Sequence, residues 1–308
     1  MKMVDDIDLH IHSKYSTDGE FAPDRLVEMC SEAGIRIMAV TDHNTVKAID
    51  EAQRAAGEYD IRYIPAVELD CVYMDAELHI IGYCIDYRSA DFEAAERNVS
   101  GQFRSYSAEI LELTRQLGFH ITEEELNAVS GTGYWKELWI GETFAEVLLD
   151  KPGYLDNEIL RPYRPGGARG DNPYVNFYWD FYSQGKPCYA KITYPEIREI
   201  LTLIKDNGGY AVLAHPGNNL RNRFGLFDGI AGLGVDGVEV FCSYHDKPTA
   251  EYFYREAKKY GLAVTCGSDF HGKTKPLVRL GGSGCFIERS EIERSVMLFS
   301  DTSTTRTV

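Results

Sequence analysis

The sequence predicts an α/β protein, a barrel with a mainly helical insertion, and three observations point there. Apolar runs of strand length alternate with stretches of helical spacing through both ends of the chain. Between about residues 89 and 187 that texture gives way to a long helical pattern and then a segment rich in Tyr, Trp, Pro, Gly and Arg. Six of the eight histidines, with three carboxylates, sit at predicted strand ends, where barrel enzymes assemble their sites. The expected organisation is a barrel over residues 1–88 and 188–290, an insertion or cap over 89–187, and a C-terminal segment over 291–308.

Each element follows from local pattern. DIDLHIH reads as a strand. Ala22–Ala33 has helical spacing of Leu26, Val27, Met29 and Cys30, with Pro23 suited to the first turn and Gly34 to the stop. Ile35–Val40 is an apolar strand, Thr45–Ala56 a helix, Tyr63–Tyr73 a third strand and Leu78–Ile85 a fourth. Such runs, apolar on both faces, suit parallel sheets flanked by helices. Phe92–Leu117 reads as a long helix and Ile121–Ser130 as another, before the aromatic segment from Gly131 to Gln184. Alternation resumes with helix Pro195–Asp206, strand Tyr210–Ala214, helix Leu226–Gly232, strand Val235–Phe241, helix Thr249–Tyr260, and strands Ala263–Cys266 and Gly284–Ile287. The Ser/Thr-rich end, Ser300–Val308, is expected to fray.

Composition narrows the function classes. With 32 basic against 48 acidic residues the net charge is −16, a field that repels phosphate backbones and disfavours extended nucleic-acid binding. Bound divalent cations would cancel several of those charges where a small anionic substrate must sit. The short acidic opening predicts no secretory leader, and no apolar run approaches membrane-spanning length. Seven scattered cysteines without a CxxC pair argue against a disulfide framework and for a reducing cytoplasm.

The histidines carry the chemistry. His10 and His12, two apart on a strand, point to one side and can reach one ion. Asp18 follows in their loop; Asp42 and His43 end the second strand, Glu68 the third, and His79 lies in the next. His215 ends Tyr210–Ala214, and Asp269 and His271 repeat the i, i+2 spacing after Ala263–Cys266. Only His120 and His245 fall outside the set. Imidazole with carboxylate suits zinc, manganese or iron, and such ions activate water for hydrolysis.

The blocks DLHIHSKYSTDG, AVTDHN, PAVELD, LHIIGY, LAHPG and GSDFHG resemble the motifs of the PHP (polymerase and histidinol phosphatase) family, in order and spacing, over nearly all of the chain except the insertion. The resemblance implies a distorted seven-stranded (β/α) barrel and up to three metal ions hydrolysing phosphoesters. Carried over by position, one ion would take His10, His12, Glu68 and Asp269, a second Glu68, His79 and His215, and a third Asp18, His43 and His271. Water shared by two cations would be acidified towards neutrality, and the third ion would screen phosphoryl charge. Asp8 and Asp42, beside ligands, are candidates to hold an imidazole N–H, or else turn and cap carboxylates. Asp269 or a metal-bound water is a candidate proton shuttle, and His245 a candidate leaving-group acid or phosphate contact.

Further substrate-binding candidates are Asn218, Lys273 and, from the insertion, Arg161, Arg164, Arg169 and Lys186, since arginine grips phosphate through paired donors. Tyr174, Phe177, Tyr178, Trp179, Phe181 and Tyr182 either stack on a base or form a small helical core; Glu239, inside an apolar strand, is expected to pair structurally. The function this predicts is hydrolysis of a small phosphorylated metabolite: a nucleotide, a nucleoside bisphosphate or a cyclic phosphate. A 3′–5′ exonuclease on short oligonucleotides, a histidinol-phosphate phosphatase and a non-catalytic PHP module are the alternatives.

Overall fold

The computed structural model describes residues 4–130, 134–136 and 138–300. Strand β1 (Ile7–Ile11) is buried throughout, and α1 (Pro23–Glu32) starts on Pro23 and buries Leu26, Val27 and Cys30. Then follow β2 (Ile37–Val40), α2 (Ile49–Ala56), β3 (Arg62–Tyr63), β4 (Ala66–Tyr73) and β5 (Ala76–Tyr83). Helix α3 (Ala90–Gln116) is capped by Ser89, whose Oγ accepts from Asp91 N, and buries Val99, Phe103, Tyr106 and Ile110 along one face. The chain continues with α4 (Glu123–Ser130), α5 (Gly141–Asp150) and α6 (Pro173–Phe181). The chain then returns through α7 (Ile197–Asp206), β6 (Tyr210–Leu213), α8 (Pro216–Leu220), α9 (Leu226–Gly232), β7 (Gly237–Phe241), α10 (Lys247–Tyr260), β8 (Ala263–Cys266) and α11 (Arg289–Ser300).

The strands form two sheets, β1-β2-β3 and β4-β5-β6-β7-β8. β1, β2 and β3 are parallel, as are β6, β7 and β8. β5 runs antiparallel to both of its neighbours, which departs from the all-parallel expectation. The cause is local: β4 and β5 are joined by a two-residue turn at Met74 and Asp75, with Met74 at φ +59°. Isolated bridges link the sheets, Ile11 with Phe270 and His43 with Glu68. The continuous ladders do not close, so the architecture described here is a mixed α/β fold rather than a closed barrel.

Two strand expectations are corrected. Tyr63–Tyr73 is not one strand: Arg62–Tyr63 pairs with β2, Ala66–Tyr73 pairs with β5, and Pro65, which has no N–H to donate, stands at the break. Gly284–Ile287 forms no strand; Cys285 O accepts from Val4 N outside any ladder. Of the end expected to fray, Ser300–Val308, Ser300 closes the last helix and residues 301–308 lie outside the described residues.

One apolar cluster surrounds the five-stranded sheet, with Tyr83, Phe227, Val238 and Phe253 buried in it. Another joins α1, α2 and the first sheet through Leu26, Val27, Met38 and Ala52. A third, from the segment between β5 and α7, draws on Ile110, Phe144, Leu148, Phe177 and Tyr182. The packed-core reading of the aromatic run therefore holds for Phe177, with Tyr174 and Phe181 against it; Tyr178 and Tyr182 pack there and also line a cavity, which Trp179 lines as well.

Candidate metal centre

Short-range geometry assembles the site. On β1 the two same-side imidazoles bring His10 Nε2 and His12 Nε2 to 3.0 Å. The following loop is tight, because a Cβ on Gly19 would lie 2.0 Å from Ser13 O, and Ser16 Oγ donates to Asp18 Oδ1 at 2.7 Å. Glu68 sits at the centre, with Oε1 3.0 Å from both His79 Nδ1 and His215 Nε2. Its Oε2 lies 3.1 Å from His10 Nε2, 3.2 Å from His12 Nε2 and 3.4 Å from His43 Nδ1. Asp269, held at φ +56°, points Oδ1 at His10 and His12 from 3.3 and 3.1 Å. His271 Nε2 is 2.9 Å from Asp18 Oδ2.

All nine side chains marked by the sequence thus converge. Four overlapping groups have donor atoms within 4.8 Å of one another: His12, Asp18, His43 and His271; His10, His12 and Asp269; His10, Glu68 and His215; and His43, Asp70 and His79. Asp70 was absent from the expected set. It is two residues beyond Glu68 on β4 and directly opposite His79 on β5, so the same i, i+2 rule that marks His10 and His12 could have found it. Glu68 lies inside β4 rather than at its end, and His79 lies inside β5 as expected.

The donor set fits divalent cations. His43 Nδ1, Asp70 Oδ1 and His271 Nε2 are buried and make no well-directed hydrogen bond, facing only other would-be ligand atoms at 2.9 to 3.5 Å, a crowding that a cation among them would relieve. Burial works against charge on His10 and His43, yet the carboxylates around each prevail. Glu239, Glu68 and Asp269 hold His10 well above its usual range, and Glu68, Asp70 and Asp18 push His43 up to about 10. Burial likewise works against ionised Glu68, and His10, His43 and His79 overcome it, holding that carboxyl well below its usual range. Protons and cations are therefore alternative ways to neutralise this cluster.

Neighbouring groups fix the imidazoles. Glu239 bonds His10 Nδ1 at 3.0 and 3.2 Å and accepts from His215 N at 2.9 Å, so its pairing sits directly behind the cluster. Asn219 Oδ1 lies 2.5 Å from His215 Nδ1, and the main-chain oxygen of Asp269 is 2.9 Å from His271 Nδ1. Asp8 and Asp42 do not hold imidazoles. Asp8 accepts from Ser268 N and Gly281 N, and Asp42 from Ser13 N and Oγ, and burial pushes both carboxyls up to about 6. They brace the loops that carry the site.

The cluster floors a cavity of about 370 Å³ whose other walls include Phe103, Tyr106, Trp135, Tyr178, Trp179 and Glu142. Asn218 lines it as expected; Arg161, Arg164 and Arg169 do not, whereas Arg221 and Arg223, which the motifs did not mark, do. Arg161 pairs with Glu158, Arg164 donates to Leu149 O and Tyr154 O, and Arg169 forks onto Asp180. Arg169 and Lys186 line an adjoining groove, and Lys273 is drawn off by Glu146 at 2.6 Å. His245 is a correction: its Nδ1 donates to Val240 O and its Nε2 accepts from Gly217 N, so neither nitrogen is free for chemistry. Burial lowers its pKa, consistent with that neutral role. Pattern gave no sign of Lys275, whose Nζ lies 2.5 Å from Asp269 Oδ2. Nor did it mark Glu142, whose carboxyl burial and nearby Asp18 push up to about 8.

Comparison with known proteins agrees with this geometry. The PHP domain profile matches residues 8–159. A 3′,5′-nucleoside bisphosphate phosphatase of Chromobacterium violaceum is 27% identical, over 86% of this chain and 87% of that protein. A 5′-3′ exoribonuclease of Haemophilus influenzae is 28% identical, over 87% and 91% respectively. A phosphoribosyl 1,2-cyclic phosphate 1,2-diphosphodiesterase of Eggerthella lenta is 24% identical, over 86% and 94%. The fold is shared with a Bifidobacterium adolescentis protein named as a metal-dependent phosphoesterase, with TM-score 0.76, 24% identity, and coverage of 94% of this chain and 95% of that one. Motif order, converging side chains and the matched profile lead to one conclusion: the chain carries a PHP domain, matched over residues 8–159.

Proposed function

We propose that this chain hydrolyses phosphoesters of small molecules, with a nucleotide, nucleoside bisphosphate or cyclic phosphate as the substrate class. The observation that carries the reading is the convergence of six histidines and four carboxylates at the floor of a cavity walled by insertion aromatics. Residues 89–187 act as a cap in this reading, and the bridged sheets as a distorted barrel. Divalent cations such as zinc, manganese or iron, two or three in number, would acidify water and screen phosphoryl charge when bound by the cluster. The chain's own groups do the rest. Glu239 and Asn219 keep the Nε2 atoms of His10 and His215 turned toward the cavity floor. The aromatic walls exclude water and bind the apolar part of the substrate.

The relatives named as exoribonucleases support a second reading, stepwise removal of nucleotides from a short RNA; their names give 5′-3′ polarity, the reverse of the expected exonuclease. Comparing phosphate release from mono-, bis- and cyclic phosphates with shortening of labelled oligonucleotides separates the two. After chelation and restoration of manganese or zinc, the first reading expects phosphate release to dominate. His10→Ala and Asp269→Asn are expected to abolish turnover with the fold intact; near-normal rates in either variant would refute the metal assignment.

A further inference from the structure

Among the described residues, Lys275 is the only lysine or arginine in the buried set, at 7% exposure. An ammonium is costly to remove from water unless partners and purpose are both present. Its Nζ donates to Asp269 Oδ2 at 2.5 Å and stands over the Tyr244 ring, 4.9 Å from its centre. An ammonium has three donors, so beyond Asp269 and the Tyr244 face at least one remains for a ligand. Lys275 lines both the main cavity and the adjoining groove, which places that donor on the substrate side. Asp269 divides its oxygens accordingly, Oδ1 toward His10 and His12 and Oδ2 toward Lys275. Most other cations near the cavity are engaged: Lys273 with Glu146, Arg169 with Asp180, Arg223 with Asp75, Arg164 with main-chain oxygens, and Arg221, which lines both cavities, with the Trp179 ring; Lys186 stands in the groove alone.

We infer that Lys275 is the phosphate-gripping cation of this site: its free N–H binds a non-bridging oxygen of the substrate's phosphoryl group at the edge of the histidine cluster. The assignment rests on the phosphoesterase reading only for its consequence in turnover. Anion binding itself follows from the geometry. A fixed ammonium beside the cluster meets the reacting group through a charge-assisted hydrogen bond, and it adds positive charge where the phosphoryl oxygens gather negative charge.

The test titrates inorganic phosphate calorimetrically into metal-loaded wild type, Lys275→Met and Lys275→Arg, with ion content measured on each. Lys275→Met is expected to keep its ions and to bind phosphate at least about tenfold more weakly, the size of one lost charged hydrogen bond. Its kcat/KM on p-nitrophenyl phosphate should fall by at least as much. Unchanged phosphate affinity with ions in place overturns the inference. Should the methionine variant lose its ions, Lys275→Arg decides. Retained charge predicts phosphate affinity within about threefold of wild type, and a loss as large as that expected for methionine overturns it. Wild type with no turnover but Lys275-dependent phosphate binding would sink the phosphoesterase reading and leave this one standing; turnover with Lys275-independent binding does the reverse.

Discussion

Glu239 shows how much one buried carboxylate contributes here. It is fully buried in β7, bonds the outer nitrogen of His10, and accepts from the backbone of His215, so two arms of the cluster lean on it. Glu239→Gln keeps the shape but supplies only one acceptor oxygen. Metal affinity, measured by competition with a chromophoric chelator, should fall by about 10- to 100-fold while the folded spectrum persists. Glu142 makes a different prediction. Burial, then Asp18, lifts its carboxyl from an ordinary 4.5 to about 8. The folded state therefore holds this proton where the unfolded chain releases it. Stability from this group is lost as pH rises from about 4.5 through 8. In metal-free protein, Glu142→Gln should leave urea midpoints near wild type at pH 4 and raise them at pH 9. An equal offset at both pH values would show that Glu142 does not titrate this way.

At the scale of elements, α5 and α6 are pressed together beside the cavity. A Cβ on Gly141 would come within 2.8 Å of the Tyr178 and Tyr182 rings. Gly141→Ala should destabilise by about 1–3 kcal/mol, read as a lower denaturation midpoint, because two packed rings must shift. Phe144, fully buried in the third apolar cluster, offers the opposite defect; Phe144→Ala should cost about 3–5 kcal/mol. If the insertion is a unit on its own core, that loss should melt it before the rest. Hydrogen exchange would then show α3, α5 and α6 opening while β4–β8 stay protected. Uniform opening across both regions would count against an independent cap.

For the whole molecule, the net charge of −16 and the proton-laden cluster point the same way. His10, His43 and His79 all carry raised pKa values in the metal-free chain, chiefly through nearby carboxylates that outweigh burial. Cations must displace those protons to bind. Adding zinc or manganese to metal-free protein at pH 7 should therefore release protons, seen as binding heats that depend on the buffer's ionisation enthalpy. Apparent affinity should rise with pH up to about 10, where His43 itself loses its proton. Heats independent of buffer would mean that the imidazoles are already neutral.

Much of this protein is legible in one dimension because its site is built from short-range rules. Same-side spacing on a strand pairs His10 with His12, and the flanking patterns mark β1, α1 and α10 closely. Asp70 obeys the same spacing and was readable in principle. Other features depend on how distant segments meet. The reversal of β5 turns on a two-residue loop, and the break at Pro65 splits what looks like one apolar run. Lys275 looks like any surface lysine until β8 and its loop bring it against Asp269 and Tyr244 inside the cavity wall. Arg169 looks like a phosphate clamp until α6 presents Asp180 to it. Local pattern determined which residue types stand at which strand, since periodicity is a property of neighbours in the chain. Only the tertiary structure decided which charges remain free for a ligand, because each cation is claimed by whichever carboxylate folding brings nearest.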